Sequence, residues 1–530
     1  MNRSSSQLRA LAYAAIVTLG GLVFGLDLGV IAGTFSYIKE QFVLSDLQIG
    51  TVGAAPGFGA IFALLFAGVL SNKLGRKRTI QLIALLYLVS AITSALAPSY
   101  WWLVSARFLG GLAFCSLALA SMYIGEISPS HLRGRLVAIN QFNIVVGLTM
   151  AYFINYLIQQ FAQGDAEWAA SLNLRETAWR WMLGMEIPVA LIWLALVSLI
   201  PKSPRWLMMV GRDAEAKTAM ARLISEDEIP HEIASIKESM KKSHGAVTIS
   251  EQLRELFSRH SRKAVVIGVT IAAVQPITGI NAINTYAPMI FAQTGADDPL
   301  WQTVWLGIVS LVAIVFSYLL IDRFGRRPIV LFGLLWCAIS LGLCAWGFQQ
   351  AHYSLNSAAI AEISDKLGET NPGISADLAG QIGAVYEDDI VFMEKMRDVL
   401  GSDLANKNKE LLVGEAANIN ASLILFAILS YMAAFQFSIG PAMWVVLSEI
   451  FPTQLRGIAI PAAQLVTAVV NYFVQQFFPW QLSNMGARDI FLFYAVCVSI
   501  GMMALAFILP ETKNKSIEEI EAELSGSDQR

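Results

Sequence analysis

The sequence predicts an all-α membrane protein of twelve transmembrane helices, arranged as two six-helix bundles joined by a helical linker. Three observations predict it. Hydrophobic residues are 55% of the 530 and charged residues 15%, with mean hydropathy +0.56, which is not the balance of a soluble globule. Twelve apolar runs are long enough to cross a bilayer, which takes about 20 helical residues. Short motifs of the first half also recur, in order, in the second.

The runs lie at 9–38, 47–71, 78–97, 101–127, 134–161 and 180–200, then at 262–293, 299–321, 328–349, 417–448, 455–483 and 489–510. The first is too long for a signal peptide and lacks a convincing cleavage site, so it reads as a retained span. This divides the chain into an N-terminal bundle (1–202), a linker (203–261), a C-terminal bundle (262–510) with an insert at 351–416, and a tail (511–530). Lys73, Arg76, Lys77 and Arg78 follow span two, and Arg133 and Arg135 follow span four. Arg323, Arg326 and Arg327 follow span eight, and Arg456 follows span ten, while the alternate loops carry little beyond Lys39. Positive residues stay inside, so the linker and both termini are expected in the cytoplasm and the insert outside.

The linker contains amphipathic pieces, DAEAKTAMARLI with Asp213 as its expected N-cap, and ISEQLRELF. The insert holds 12 acidic and 5 basic residues and reads as short helices joined by Gly, Asn and Pro. Such a charge-rich stretch is a solvated excursion, or alternatively a lid or docking surface.

Several function classes are excluded. A net charge of −3 provides no basic field for nucleic acid. Cys115, Cys337, Cys344 and Cys497 all lie in apolar runs and form neither a disulfide framework nor a zinc spacing. No nucleophile–base set, metal cluster or phosphate-cradling glycine loop occurs, so neither an enzyme nor an ATP-driven pump is expected, and no cofactor or metal.

The seventh run carries the most telling chemistry. Its apolar length is interrupted by Gln275, Thr278, Asn281, Asn284 and Thr285, with Pro276 and Gly279 among them. Gln275, Thr278, Asn281 and Thr285 fall at helical spacing and would share one face, while Pro276 and Gly279 invite a bend. Amides at that depth lose hydration that hydrocarbon cannot replace. They serve either hydrogen bonds between helices or a neutral site at the midplane for a polyhydroxy ligand.

The internal repeat pairs LSNKLGRKR (70–78) with LIDRFGRRP (320–328), GEISPSHLRGR (125–135) with SEIFPTQLRGI (448–458), and, more weakly, PKSPRWL with PETKNKS. Two like-oriented halves around a midplane site is a transporter architecture, and one chain supplies both, so a monomer suffices. Arg76, Lys77, Arg133, Arg326, Arg327 and Arg456 stand at span ends near Glu126 and Glu449. Ion pairs there are expected to form a cytoplasmic gate. Simple topology would explain the basic residues, but not the repeated Glu-Ile-x-Pro-x-x-x-Arg-Gly.

GRKR and GRRP, both Glu-Ile-x-Pro copies, PKSPRWL, TGIN, GPAMWVVLSEIFP and PETKNKSIEEIE together resemble the sugar porter branch of the major facilitator superfamily, over nearly the whole chain except 351–416. Asn72, where many other superfamily members carry Asp, fits that branch. The resemblance implies the major facilitator fold, alternating access, and a sugar or polyol as substrate. It further implies that Phe24, Gln141, Gln275, Asn281, Gly440 and Trp444 contact it. Amides both donate to and accept from hydroxyls, and an indole face stacks on a sugar ring. Thr278, Thr285 and Ser310 complete the expected site.

The chain departs from the pattern at Pro276 (usually Gln), Thr285 (Tyr), Ser310 (Asn), Thr467 (Gln) and Ala468 (Trp). A larger pocket follows, for a disaccharide, cyclitol or modified sugar. The resemblance also implies proton coupling through Asp27, Arg107 and Glu186, because facilitative relatives tend to lack the first carboxylate. A buried acid is costly in a membrane and is a functional site by default. Movement of Asp27 relative to Arg107 would switch its proton affinity; a static buried ion pair is the other reading. A facilitative uniporter would share the fold without proton flux. A sensor would normally carry a longer tail than the roughly 20 residues after Pro510. The protein is expected in a plasma (bacterial inner) membrane.

Overall fold

In the computed structural model, whose described residues are 3–127, 130–164, 167–224, 226–244, 254–258, 261–296, 298–367, 373–452, 455–515 and 517–525, twelve helices are long and apolar enough to cross a membrane. Most begin and end near the predicted limits; the sixth starts earlier, at Leu174. In each half the first and fourth spans are broken. Span one changes to a 3-10 turn at Ile31–Thr34, and span four at Ala113–Cys115. Span seven divides into Arg262–Ile277 and Ile280–Ala292, and span ten into Ala421–Phe437 and Ile439–Ile450. Span six also breaks, after Gly184, so that Glu186 opens its second helix.

The break in span seven follows from its residues. Gly279 takes φ +84°, a left-handed value that only glycine adopts without strain, and Pro276 already lacks an amide donor. The freed carbonyls find partners: Thr278 Oγ1 donates to Gln275 O (2.7 Å), and the Tyr431 hydroxyl donates to Thr278 O (2.8 Å). That bond also joins the break to span ten. Broken backbone at this depth is tolerated only where protein or a water-filled cavity satisfies it.

The two sets of six helices meet closely on the face that carries the insert. The Tyr152 hydroxyl donates to Asn284 O (2.8 Å), Gln160 Nε2 to Asp298 (2.8 Å), and Gln476 Nε2 to Leu47 O (3.0 Å). Phe35 packs on Tyr286 and Tyr156 on Trp301, each pair 4.9 Å between centroids. The largest apolar core runs through this junction, joining Leu26, Phe35 and Val52 to Ile283, Tyr286 and Phe478. Within the first set, spans one and five approach at glycines: a Cβ on Gly25 would collide with Ile144 O, and one on Gly147 with Leu22 O.

The insert is more than a string of short helices. A three-stranded antiparallel sheet, with His352–Ser354 between Val385–Tyr386 and Ala417–Asn418, supports helices such as Ser357–Leu367 and Asp389–Leu400. Its own core includes Tyr353, Ile363, Phe392, Met396 and Leu412. Lys39 and Glu40, at the end of span one, face its Glu410 and Lys407 at 3.7 Å each.

In the linker, Asp213 is the first residue of helix Asp213–Met220 and not its cap; the capping position is Arg212, whose side chain makes no capping bond. Asp213 pairs instead with Lys237 (3.3 Å). Most of ISEQLRELF lies outside the described residues.

Candidate functional site

Span one carries Asp27 beside the buried Arg107 of span four, and the break in span six brings Glu186 to the same place. All three are buried, at 1%, 2% and 2% exposure. Arg107 donates through Nη1 to Asp27 Oδ1 and through Nη2 to the Asp27 backbone carbonyl (3.2 Å). Glu186 stands next to both. The Asp27 and Glu186 carboxyls lie within hydrogen-bond reach of each other, a contact that needs a proton on one of them, and Arg107 Nε has no partner, so the trio keeps capacity to exchange protons and partners. Gly110, which sequence reading missed, lies beside it and lets span three approach: a Cβ there would lie 2.6 Å from Ser90 Oγ, while Asp27 Oδ1 would stay at ordinary contact, 3.7 Å.

The polar residues of span seven separate into two kinds. Gln275 and Asn281 are half-buried on either side of the break, and Gln275 Oε1 has no partner. Thr278 and Thr285 are 0% and 2% exposed. The single polar face expected from helical spacing therefore does not form, because the break at 278–279 resets the rotation between the two helices. Thr278 closes its own backbone, and Thr285 is packed away.

Asn281 Nδ2 donates to Asn471 Oδ1 (2.8 Å) on span eleven, and Thr467 Oγ1 donates to Ala272 O (2.9 Å). Thr467 is thus a clip between spans, while Asn471 supplies an amide one turn further on. Asn471 was missed, as was Gln436, buried with Oε1 unpaired in the break of span ten. Both carried the signal read in span seven, an amide within an apolar run. Ser310 is fully buried with Oγ unpaired, Trp444 is partly buried against the main core, and Gly440 is buried against Phe435. In the first half Gln141 is half-buried, and Phe24 is edge-on to Phe114 at 4.5 Å.

At the linker-side span ends, Arg76 Nε reaches both oxygens of Glu126 (3.0 and 3.2 Å), and Arg326 Nη2 reaches Glu449 (3.1 Å). Each pair lies within one half. Lys77 and Arg327 go elsewhere: Lys77 Nζ donates to Ser198 O and Arg327 Nη2 to Ala506 O, both at 2.7 Å, holding the ends of spans six and twelve. Helix-end carbonyls without intrahelical partners attract such cations. Arg456 Nε donates to Phe451 O (2.9 Å). The Arg133 side chain lies outside the described residues.

Comparison with known proteins places the chain in a family. The profile of the family described as "Sugar (and other) transporter" matches residues 13–363 and 404–524, leaving out only part of the insert and the chain ends. The arabinose-proton symporter of Bacillus subtilis is 29% identical over 98% of this chain and 96% of its own. The D-xylose-proton symporter of Escherichia coli is 30% identical, covering 98% and 97%. A solved structure, the inward open conformation of the xylose transporter XylE from E. coli, superposes with a TM-score of 0.72 at 28% identity, covering 97% of this chain and 99% of that one.

Proposed function

The chain belongs to the sugar transporter family of the major facilitator superfamily, an integral membrane carrier and not an enzyme, and from that premise we propose that it imports a neutral sugar or polyol together with one proton. The observation that carries the coupling is the charge count of the buried trio. Two carboxylates, Asp27 and Glu186, face one guanidinium, Arg107, so the ionised trio sums to −1 and a single proton makes it neutral. A net charge buried at midplane resists passage through the sugar-filled, water-excluded occluded state, which the trio crosses only when a proton makes it neutral; the empty carrier returns deprotonated, with water in place of sugar beside the charge, so one proton enters per cycle. Protonation of Asp27 also frees Arg107, which lets span four move relative to span one.

The substrate is held by neutral amides. Gln141, Gln275, Asn281, Asn471 and Gln436, with the Trp444 indole and the Ser310 hydroxyl, offer donors and acceptors without a fixed charge. The free amide oxygens of Gln275 and Gln436 support this reading, since buried polar atoms left unpaired by protein call for a ligand or water. Thr467 and Ala468 leave the wall of span eleven thin, which favours a ligand larger than a simple hexose, such as a disaccharide, cyclitol or modified sugar.

The linker side faces the cytoplasm of a bacterial inner membrane and the insert faces outward. Closure on the insert side then makes this the inward-facing state, in line with the inward open relative it superposes on. The Arg76–Glu126 and Arg326–Glu449 pairs fasten the cytoplasmic span ends within each half. Arg133 and Arg456 belong to the same gate, by the repeat that places them.

The test is external pH in lightly buffered, de-energised cells given pulses from a broad sugar panel. Alkalinisation by one sugar, lost in Asp27→Asn, identifies substrate and symport together. Equilibration of labelled sugar without a pH change would make the protein a uniporter and end the role given to Asp27.

A further inference from the structure

The repeat sets the same turn at the start of two helices, and the two copies treat it differently. In the second half, helix Arg326–Gln349 begins after Gly325 (φ +96°), and the amides of Arg326 and Arg327 donate to Glu511 Oε1 and Oε2 at 3.0 and 3.2 Å. A carboxylate there satisfies free helix-end amides and complements the dipole. In the first half, helix Arg76–Ala95 begins after Gly75 (φ +83°), and among the described residues no side chain accepts from the Arg76 and Lys77 amides. The residue matching Glu511, in PKSPRWL against PETKNKS, is Lys202. Its amine turns to Glu215, at 3.0 Å.

What remains in the first copy is a cavity of about 100 Å³ lined by Gly75, Arg76, Lys77, Arg78, Lys202 and Arg212. The Trp206 indole forms its floor against Gly75, with Nε1 donating to Asn72 O (2.9 Å). Among the described residues, two carboxylates answer these five cations: Glu126 on Arg76, and Glu215 shared by Lys202 and Arg212. Lys77 also feels Arg222. Like charges gathered round open helix amides form a focused positive potential. The space exceeds that of a single water several-fold, enough for a tetrahedral oxyanion.

We propose that this pocket binds a phosphate group, from a free phosphate-bearing molecule or from the headgroup of an anionic lipid, in the position that Glu511 fills in the second half. Bound there, the anion ties span three to the linker through Lys202 and Arg212, as the chain's own tail does for span nine. The site is separate from the sugar site and from the buried trio.

The full-length protein in uncharged detergent, dialysed against radiolabelled inorganic phosphate, tests it. The expected result is one saturable site per chain, weakened about tenfold or more in Lys202→Glu, which installs the carboxylate of the second copy. Lys202→Gln, which removes the charge without reversing it, gives a smaller loss and keeps the test valid if the reversal disturbs folding. A second arm distinguishes the sources. In nanodiscs of phosphatidylcholine with some phosphatidylglycerol, a lipid occupant appears as one more retained phosphatidylglycerol in the wild type than in Lys202→Glu, and it excludes free phosphate. A free-phosphate site leaves lipid counts equal and still binds phosphate in the discs. Phosphate binding unchanged by both substitutions overturns the proposal, as does the absence of phosphate binding with equal lipid counts.

Discussion

Asp27→Asn isolates the coupling argument, because it changes the charge of the trio and little else. Asparagine keeps the shape and can still accept from Arg107 Nη1, while the Nη2 bond goes to the backbone carbonyl and survives. Removing one partner of a buried pair usually costs about 3–5 kcal/mol. Here Glu186 stands beside Arg107 with Oε1 free, so a compensating carboxylate is in place and the variant should fold. The variant trio is then neutral without a proton, and both empty and loaded carriers reorient freely. The assay is proteoliposomes under an imposed potassium diffusion potential of about 100 mV, which is worth about 2.3 kcal/mol per transported charge. At about 1.36 kcal/mol per tenfold, one proton per sugar gives about 50-fold accumulation for the wild type. Asp27→Asn should exchange labelled sugar normally and accumulate none. Glu186→Gln should behave alike, since it also brings the trio to neutrality. Accumulation by Asp27→Asn near the wild-type level would refute the charge count, and an effect in Asp27→Asn but not in Glu186→Gln would limit coupling to the Asp27–Arg107 pair.

Three further outcomes follow. Gln275→Leu or Asn471→Leu should each raise the KM for sugar about 3- to 10-fold with kcat little changed, the worth of one neutral hydrogen bond; an unchanged KM in both would move the substrate elsewhere. Gly279→Ala should lose about 1–2 kcal/mol of stability, since alanine must take φ +84° with its methyl about 3.2 Å from the Tyr494 ring, while Gly279→Asn should lose less because asparagine tolerates left-handed backbone; thermal unfolding of the two variants compares them. Asp389 in the insert has its pKa pushed up from 3.8 to about 6, chiefly by burial, with Lys409 opposing and Asp388 adding to the rise. The folded insert therefore holds a proton that the unfolded chain releases, so this contribution is full below pH 3.8 and is lost as pH rises through about 6. Hydrogen exchange over 385–416, corrected for intrinsic rate, should show weaker protection at pH 7 than at pH 5, and Asp389→Asn should flatten the change.

The fold was legible because its signals are redundant. Twelve apolar runs, alternating loop charge and three repeated motifs each point to the same architecture, and errors of a few residues at span ends do not disturb it. The site was legible where chemistry is intrinsically out of place: Asp27, Arg107, Gln275 and Asn281 all sit in apolar runs. It failed where a local break changes which way a side chain faces. Thr278 and Thr285 fit the helical spacing of Gln275, yet Thr278 is buried with its hydroxyl on Gln275 O, and the turn at Gly279 carries Thr285 off that face. Asn471 and Gln436 carried the same signal as Gln275 but lay outside the motifs that carry the resemblance, so an amide that only the packing of span eleven brings opposite Asn281 went unread. The insert misled for another reason: its core is built from scattered residues such as Tyr353, Phe392 and Leu412, which no period of 2 or 3.6 gathers.

Repeats invite reading for likeness, and here the differences carry as much. The paired glycines, Gly75 and Gly325, and the paired bridges, Arg76–Glu126 and Arg326–Glu449, are what the motifs share, and they build the same corner twice. The tail then completes only one corner. Thr512 donates to Glu449 (2.6 Å) and Glu511 caps the helix behind it, so the second half is fastened by its own chain. In the first half the corresponding carboxylate is a lysine, and under our proposal a bound anion supplies the fastening. A carrier whose two halves must rock against each other thus has one corner set by sequence and one open to its surroundings. Replacing Lys202 by glutamate should make the corners alike and remove that dependence.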